Sequence, residues 1–278
     1  MTDYERTTIH EATLAGRPVE CLVIDAHAHL QTPSSTAAHV PHADPEGMIA
    51  AMDALGIDVA CISILGAGDQ NELMVEVVER HPDRFAGFVL VNPRYPNDII
   101  EVLERSFRSP AVKGIGEVHP TTYWHDYPVL GPNYQPVWEF AEARNLPVLI
   151  HSGPMSEAQR CRPSDIGKVA AAHPNMNVLI GHSGGYDSWE MLEEAIETAR
   201  THDNVFLELC AMGRYTGIVE HMVGRVGEDK IVFGTDAPFH DWTAEIAHVA
   251  FARLSDRIKE KIFGLTMQSL LDQVKVPV

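Results

Sequence analysis

Basic residues are scarce in this chain. Its 278 residues include 21 Lys and Arg against 39 Asp and Glu, which gives a formal net charge of −18 at pH 7. A surface this acidic repels phosphate backbones and anionic lipids. The charge therefore argues against nucleic acid and membrane partners, and leaves a small-molecule substrate as the expected partner.

Paired cysteines and long apolar runs are also missing. The four cysteines, at positions 21, 61, 161 and 210, are scattered without a CxxC motif. This usage predicts reduced thiols in a cytoplasmic protein. No apolar run approaches the roughly 20 residues of a membrane span. The polar start, MTDYERTTIH, lacks the layout of a signal peptide.

What the chain does contain is an alternation of strand and helix patterns. Apolar, β-branched runs predict strands over 22–27, 58–65, 85–91, 111–118, 147–152, 177–183, 205–210 and 230–237. Stretches of helical period separate most of them. Eight strand–helix units predict a (β/α)₈ TIM barrel, with a doubly wound open sheet as the alternative. We expect one domain over residues 21–278 and an N-terminal extension over residues 1–20 that packs on it.

Potential metal ligands lie at the predicted strand ends, where a TIM barrel carries its active site. The first strand ends in LVIDAHAHL, and His27 and His29, two residues apart, point the same way. Four more candidates end other strands: Glu117, His151, His182 and Asp236. Histidines with carboxylates suit a divalent ion, most readily Zn²⁺, with Mn²⁺ as an alternative. One ion is expected, or two if Glu117 bridges them.

The motifs DAHAHL, LIHSG, IGHSGG and FGTDAPF resemble those of the amidohydrolase superfamily. The most similar branch is amidohydrolase 2, which contains resorcylate-type decarboxylases as well as hydrolases, and the resemblance spans about residues 22–272. It implies that His27, His29, His151 and Asp236 bind the metal and that His182 lies beside it.

The glutamate in KGIGEVHP bears on which reaction the site catalyses. Decarboxylase members of the branch need no ligand on strand four, whereas some hydrolases use a carboxylate there to bridge two metals. Glu117 therefore favours hydrolysis of a small amide, ester or lactone. Asp236 is expected to act as general base on water, and His182 to polarise the scissile carbonyl. A metal-dependent, non-oxidative decarboxylase is the alternative, and a non-catalytic binding protein is another.

A rival motif overlaps the sixth strand end. GHSGG, residues 181–185, matches the G-x-S-x-G nucleophile elbow, with Ser183 as the nucleophile. Asp236 and then His240 or His248 follow in the chain order of a serine hydrolase. That interpretation leaves the histidines at the other strand ends without a role, so we favour the metal site.

Specificity is expected from the loops that follow the strands. Arg160 and Arg162 could clamp a substrate carboxylate. Tyr123 and His125, on the long loop after strand four, could line the pocket. Solvated arginines and simple loop packing explain the same residues equally well. The fold class allows a homodimer.

Overall fold

The computed structural model describes residues 7–31, 43–65, 69–213 and 215–275. Eight parallel strands follow one another around a single sheet in chain order. They are β1 Ile24–His29, β2 Val59–Ser63, β3 Phe85–Val89, β4 Val112–Val118, β5 Pro147–Ile150, β6 Asn177–Ile180, β7 Val205–Glu208 and β8 Ile231–Val232.

Backbone hydrogen bonds between the first and last strand regions bring the sheet's edges together. The N–H of Ala26 donates to the carbonyl of Phe233 at 2.9 Å, and that of His29 donates to Ala237 at 2.7 Å. Asp236 N–H donates to the His27 carbonyl at 2.7 Å. The predicted single-domain TIM barrel is confirmed.

Helices surround the barrel. They are α1 Thr8–Leu14, α2 Pro45–Leu55, α3 Asn71–Arg80, α4 Ile99–Ser106, α5 Gln135–Arg144, α6 Ala158–Cys161, α7 Pro163–Ala172, α8 Trp189–Thr201, α9 Ile218–Val226, α10 Trp242–Ala250, α11 Asp256–Glu260 and α12 Thr266–Asp272. None of them is long and apolar enough to cross a bilayer, within the part of the chain that the structure describes.

The strands are apolar on both faces because each face meets a different part of the core. Val148 and Ile150 pack outward among the helices, in the main cluster of buried side chains. Leu149, between them, joins a smaller cluster inside the barrel. Met267 and Leu270 of α12 belong to that inner cluster as well.

The described part of the predicted N-terminal extension is held on the barrel by α1. This helix packs against α10, and the N–H of Thr8 donates to Asp256 at 2.8 Å. Residues 1–6 of that extension lie outside the described residues.

Candidate active site

A one-residue bulge turns the two histidines of β1 into the barrel. Ile24 pairs with Val59 and His29 pairs with Ser63, so β1 contributes one residue more than β2 over this stretch. Strict alternation would place His29 on the face opposite Ile24. The bulge restores it to the inner face, a known way of re-aiming side chains next to active sites.

Strand β4 contains the same kind of bulge, next to Glu117. Its register against β5 advances from Ile115↔Val148 to Val118↔Ile150, again with one extra residue in the first strand. Ile115 and Val118 both pack outward. The extra residue lets Glu117 point inward between them, and its side chain is buried.

Four side chains converge where these strands end. Nε2 of His27 lies 3.1 Å from Nε2 of His29. Oε2 of Glu117 lies 3.5 Å from both nitrogens, and Oδ1 of Asp236 lies 3.5 Å and 3.1 Å from them. Ligand atoms at about 2.0–2.1 Å from a tetrahedral ion are about 3.3–3.4 Å apart. The spacing and chemistry of these four atoms therefore fit a divalent metal ion.

The carboxylates and imidazoles of this group shift one another's protonation. Burial alone would lower the pKa of His27, but Glu117, Asp236 and Glu208 raise it well above its usual value. Burial would raise the pKa of Asp236, yet His27 and the hydrogen bond with His29 hold it at about 2. Glu117 is also held well below its usual pKa, by His27, His119 and His151 against the effect of burial. Both acids are thus ionised and available as ligands.

His151 and His182 form a second group on the other oxygen of Glu117. Nδ1 of His151 lies 2.7 Å from Oε1 of Glu117 and 3.1 Å from Nε2 of His182. The opposite ring atom of His151, Nε2, lies 2.7 Å from the carbonyl of Gly153. Both ring nitrogens of His151 therefore face oxygen acceptors, while His119 stacks on the ring at 3.9 Å.

Glu208 and Cys210 are site residues that the sequence analysis missed. Glu208 is fully buried at the end of β7, and its Oε2 lies 3.2 Å from Nδ1 of His27. The thiol of Cys210 lies 2.9 Å from Nδ1 of His182. The available signal was a carboxylate inside the apolar run VFLELC, since an acidic side chain is rarely buried without a partner.

Asp25 is another site residue that the sequence analysis missed. It is also an acidic residue within an apolar run, two positions before His27. It is fully buried and accepts hydrogen bonds from the His27 N–H at 3.0 Å and the Thr235 hydroxyl at 2.5 Å. Burial raises the pKa of Asp25 to about 7. The side chain satisfies a backbone N–H at the bulge and ties β1 to the chain after β8.

A cavity of about 360 Å³ opens over the converging ligand atoms. Glu117, His151, His182 and Asp236 all line it. Its remaining walls are largely aromatic, formed by His119, Tyr123, Trp124, Tyr186 and Phe239. The hydroxyl of Tyr123 lies 3.2 Å from Nε2 of His151.

The structure does not place the other three predicted specificity residues among those that line this cavity. Arg160 pairs with Asp126 at 2.8 Å. Arg162 pairs with Glu190 at 2.9 Å and with Glu194 at 2.6 Å, both on α8. His125 lines a separate cavity of about 320 Å³ beside α4.

The GHSGG segment does not form a nucleophile elbow. Strand β6 is shorter than predicted, because His182 and Ser183 adopt the left-handed conformation, with φ of 55° and 45°. The Ser183 hydroxyl is fully buried and donates to the backbone carbonyl of Glu208 at 2.8 Å. The turn directs His182 to the metal-ligand group instead.

A family model described as amidohydrolase matches residues 24–266, a range that includes all eight strands. The chain belongs to the amidohydrolase family. The resemblance found in its strand-end motifs is confirmed.

Relatives of this chain include several decarboxylases. The gamma-resorcylate decarboxylase of Rhizobium radiobacter is 23% identical over 270 residues, covering 75% of this chain and 81% of that protein. A 2,6-dihydroxybenzoate decarboxylase solved with 2,6-dihydroxybenzoate matches with a TM-score of 0.71 at 17% identity, covering 91% and 98% of the two chains. The 5-carboxyvanillate decarboxylase of Novosphingobium aromaticivorans was solved with manganese and 4-hydroxy-3-methoxy-5-nitrobenzoic acid. It matches with a TM-score of 0.68 at 16% identity, covering 91% and 96%.

These relatives correct one prediction: the hydrolase interpretation was wrong, and its decarboxylase alternative is the better supported one. The error came from Glu117. A carboxylate at the end of β4 can complete the ligand group of a single ion, as its contacts with His27 and His29 illustrate. Its presence therefore does not decide between hydrolysis and decarboxylation.

Proposed function

We propose that this amidohydrolase-family protein is a metal-dependent, non-oxidative decarboxylase of a small hydroxybenzoate-type acid. One observation carries the proposal: four ligand atoms converge at an aromatic-walled cavity, which two of their residues, Glu117 and Asp236, line. Flat aromatic walls suit a flat aromatic ring. The relatives named for resorcylate, dihydroxybenzoate and carboxyvanillate support the same substrate class.

The proposed ligands are His27, His29, Glu117 and Asp236, which hold one divalent ion. Two imidazoles with two carboxylates accept either Mn²⁺ or Zn²⁺. We favour Mn²⁺, the ion in the structure of the carboxyvanillate decarboxylase. When bound, the ion supplies positive charge for the substrate carboxylate and the neighbouring ring hydroxyl.

His151 is proposed to position the substrate rather than to act as a ligand. Its Nδ1 lies 2.7 Å from Glu117 and its Nε2 lies 2.7 Å from the Gly153 carbonyl, and these two contacts hold the ring at the cavity wall. Burial lowers the pKa of the neighbouring His182, so that ring is neutral and serves to orient the substrate.

The reaction needs one proton on the ring carbon that carries the carboxylate. The carbon–carbon bond then breaks, its electron pair returns to the ring, and carbon dioxide leaves. Nε2 of His240 lies 3.6 Å from Oδ2 of Asp236, and both residues line the cavity. We assign the delivery of this proton to His240, which lies beside Asp236 at the rim of the site.

Product analysis tests this function directly. The Mn²⁺-loaded protein is incubated in D₂O with 2,6-dihydroxybenzoate, with 5-carboxyvanillate and, as a control, with benzoate. We expect a phenolic product that carries one deuterium where the carboxylate was, and no reaction of benzoate. If neither hydroxybenzoate is consumed, the proposed substrate class is wrong.

A further inference from the structure

The carboxylate of Glu208 contacts His27 of the ligand group and His182 of the second group. Its Oε2 lies 3.2 Å from Nδ1 of His27, accepts the backbone N–H of His182 at 2.9 Å, and lies 3.1 Å from the thiol of Cys210. Its Oε1 accepts the backbone N–H of Cys210 at 2.7 Å. Both oxygens are therefore engaged with donors, in a side chain with no exposed surface.

We propose that Glu208 is a positioning residue that fixes the tautomer of His27 and the orientation of His182. This inference rests on the metal site of the proposed function but concerns a residue outside the ligand group. An ionised carboxylate accepts hydrogen bonds and cannot donate them. The ring nitrogen that faces Oε2 must therefore carry the proton, which leaves the lone pair of His27 on Nε2.

That tautomer is the one the ligand group requires. Nε2 of His27 is the atom that faces His29, Glu117 and Asp236. A histidine binds a metal through its unprotonated nitrogen, and a carboxylate on the other nitrogen holds the ring in place and increases its basicity. The backbone contact of the same oxygen fixes His182 at the tight turn after β6.

A second metal ion is the alternative use of these atoms. Side chains of His27, His182, Glu208 and Cys210 bring four potential ligand atoms within 4.8 Å of one another. A metal ion there would need Nδ1 of His27 to be unprotonated. The proposed metal site formed with His29, Glu117 and Asp236 needs Nε2 of the same ring to be unprotonated. One neutral ring carries one N–H, so it does not serve both ions. The hydrogen-bonded arrangement satisfies every contact without this conflict.

An amide cannot replace this carboxylate. In Glu208→Gln, one of the two acceptor positions becomes an NH₂ group, which would face either the Cys210 N–H or the donors around Oε2. We expect Mn²⁺ affinity to fall by about 10–100-fold, the usual effect of removing such a partner. Glu208→Asp keeps both acceptors and the charge but is one methylene shorter. Its Mn²⁺ affinity should therefore lie between those of the wild type and Glu208→Gln.

The experiment measures Mn²⁺ binding to metal-stripped protein by the EPR signal of the free ion. Glu157→Gln is the matched control. Glu157 is a second buried glutamate, which follows β5 and accepts the N–H of Thr122 at 3.0 Å. Thermal unfolding of each metal-free variant reports whether the barrel is intact. Proton–nitrogen correlation spectra of the metal-free proteins, recorded at a pH at which the His27 ring is neutral, report the ring tautomers, which a purely structural role would not change.

The expected result is weakened Mn²⁺ binding in Glu208→Gln, unchanged binding in Glu157→Gln, and loss of the Nδ1–H tautomer of His27. Equal affinities and unchanged ring signals in wild type, Glu208→Gln and Glu208→Asp would overturn the inference. Two Zn²⁺ ions in the wild type, one of them lost in Cys210→Ala, would also overturn it, because Glu208 would then be a ligand. If the wild type binds no Mn²⁺, the proposed function fails, while the tautomer spectra still test Glu208.

Discussion

Nε2 of His27 lies 3.1 Å from Nε2 of His29, and each nitrogen also faces a carboxylate oxygen of Glu117 and of Asp236. Two carboxylates confronting two ring nitrogens in a buried site require positive charge between them. Protons on the rings could supply part of it. A divalent ion satisfies all four atoms together.

The first prediction concerns the number of metal ions. We expect one divalent ion per chain in the wild type, measured by elemental analysis of protein purified without chelators. In Glu117→Gln the site loses an ionised ligand, so less than one ion should be retained after dialysis. Glu157→Gln serves as the control and should keep its full content. Two ions in the wild type would contradict the single-ion site, because His151 would then be a ligand of the second ion.

The second prediction separates Ser183 from catalysis. Ser183→Ala removes the buried hydrogen bond with the Glu208 carbonyl and should lower the free energy of unfolding by about 1–2 kcal/mol. Decarboxylation should stay close to the wild-type rate. Ser188→Ala is the matched control for stability, since Ser188 caps α8 through the N–H of Met191. A folded Ser183→Ala protein without activity would support a serine nucleophile.

The third prediction distinguishes Tyr123 from Arg162. Tyr123→Phe removes a hydroxyl that contacts His151 in the cavity, and kcat/KM should fall on the order of tenfold. Arg162→Ala should leave KM unchanged and lower stability by at most about 1 kcal/mol, since it breaks ion pairs on the surface of α8. Steady-state kinetics on one hydroxybenzoate measures both. A raised KM in Arg162→Ala would show that this arginine binds substrate.

The fourth prediction concerns Glu245, a buried residue of α10 that accepts the N–H of Ala211 at 3.1 Å. Burial raises its pKa from 4.5 to about 8. The unfolded chain releases this proton near pH 4.5, while the folded protein keeps it. The contribution of Glu245 to stability is therefore complete below about pH 4.5 and is lost as the pH rises towards 8. At about 1.4 kcal/mol per pKa unit, the loss amounts to a few kcal/mol.

Glu245→Gln keeps the acceptor and removes the titration. Its Tm should therefore fall less than that of the wild type between pH 5 and pH 8. Glu79→Gln, at an exposed position on α3, removes the same charge and should follow the wild-type curve. Parallel curves for Glu245→Gln and wild type would show that Glu245 is already ionised in the folded protein at pH 5.

The sequence predicted the barrel and singled out side chains that converge in the candidate site, because both depend on local patterns. Apolar runs of strand length alternate with helical periods, and a polar side chain at the end of such a run stands out, as His27, His151 and Asp236 do. The resemblance to amidohydrolases rests on the same short motifs.

Other features depend on register and on distant contacts, which no local pattern encodes. The bulges that turn His29 and Glu117 inward appear only when each strand is paired with its neighbour. Glu208 looked like an isolated acid in an apolar strand, because its partner His27 lies 181 positions away. The reaction was predicted wrongly since the same donor set can serve hydrolysis or decarboxylation, and Glu117 alone does not distinguish them.

The most direct test of the central claim is carbon dioxide release from carboxyl-labelled 2,6-dihydroxybenzoate by metal-stripped protein during titration with Mn²⁺. We expect no release without metal, and activity that rises with added Mn²⁺ and reaches its plateau at one ion per chain. A rate that is unaffected by stripping, or no release at any Mn²⁺ concentration, would contradict a metal-dependent decarboxylase.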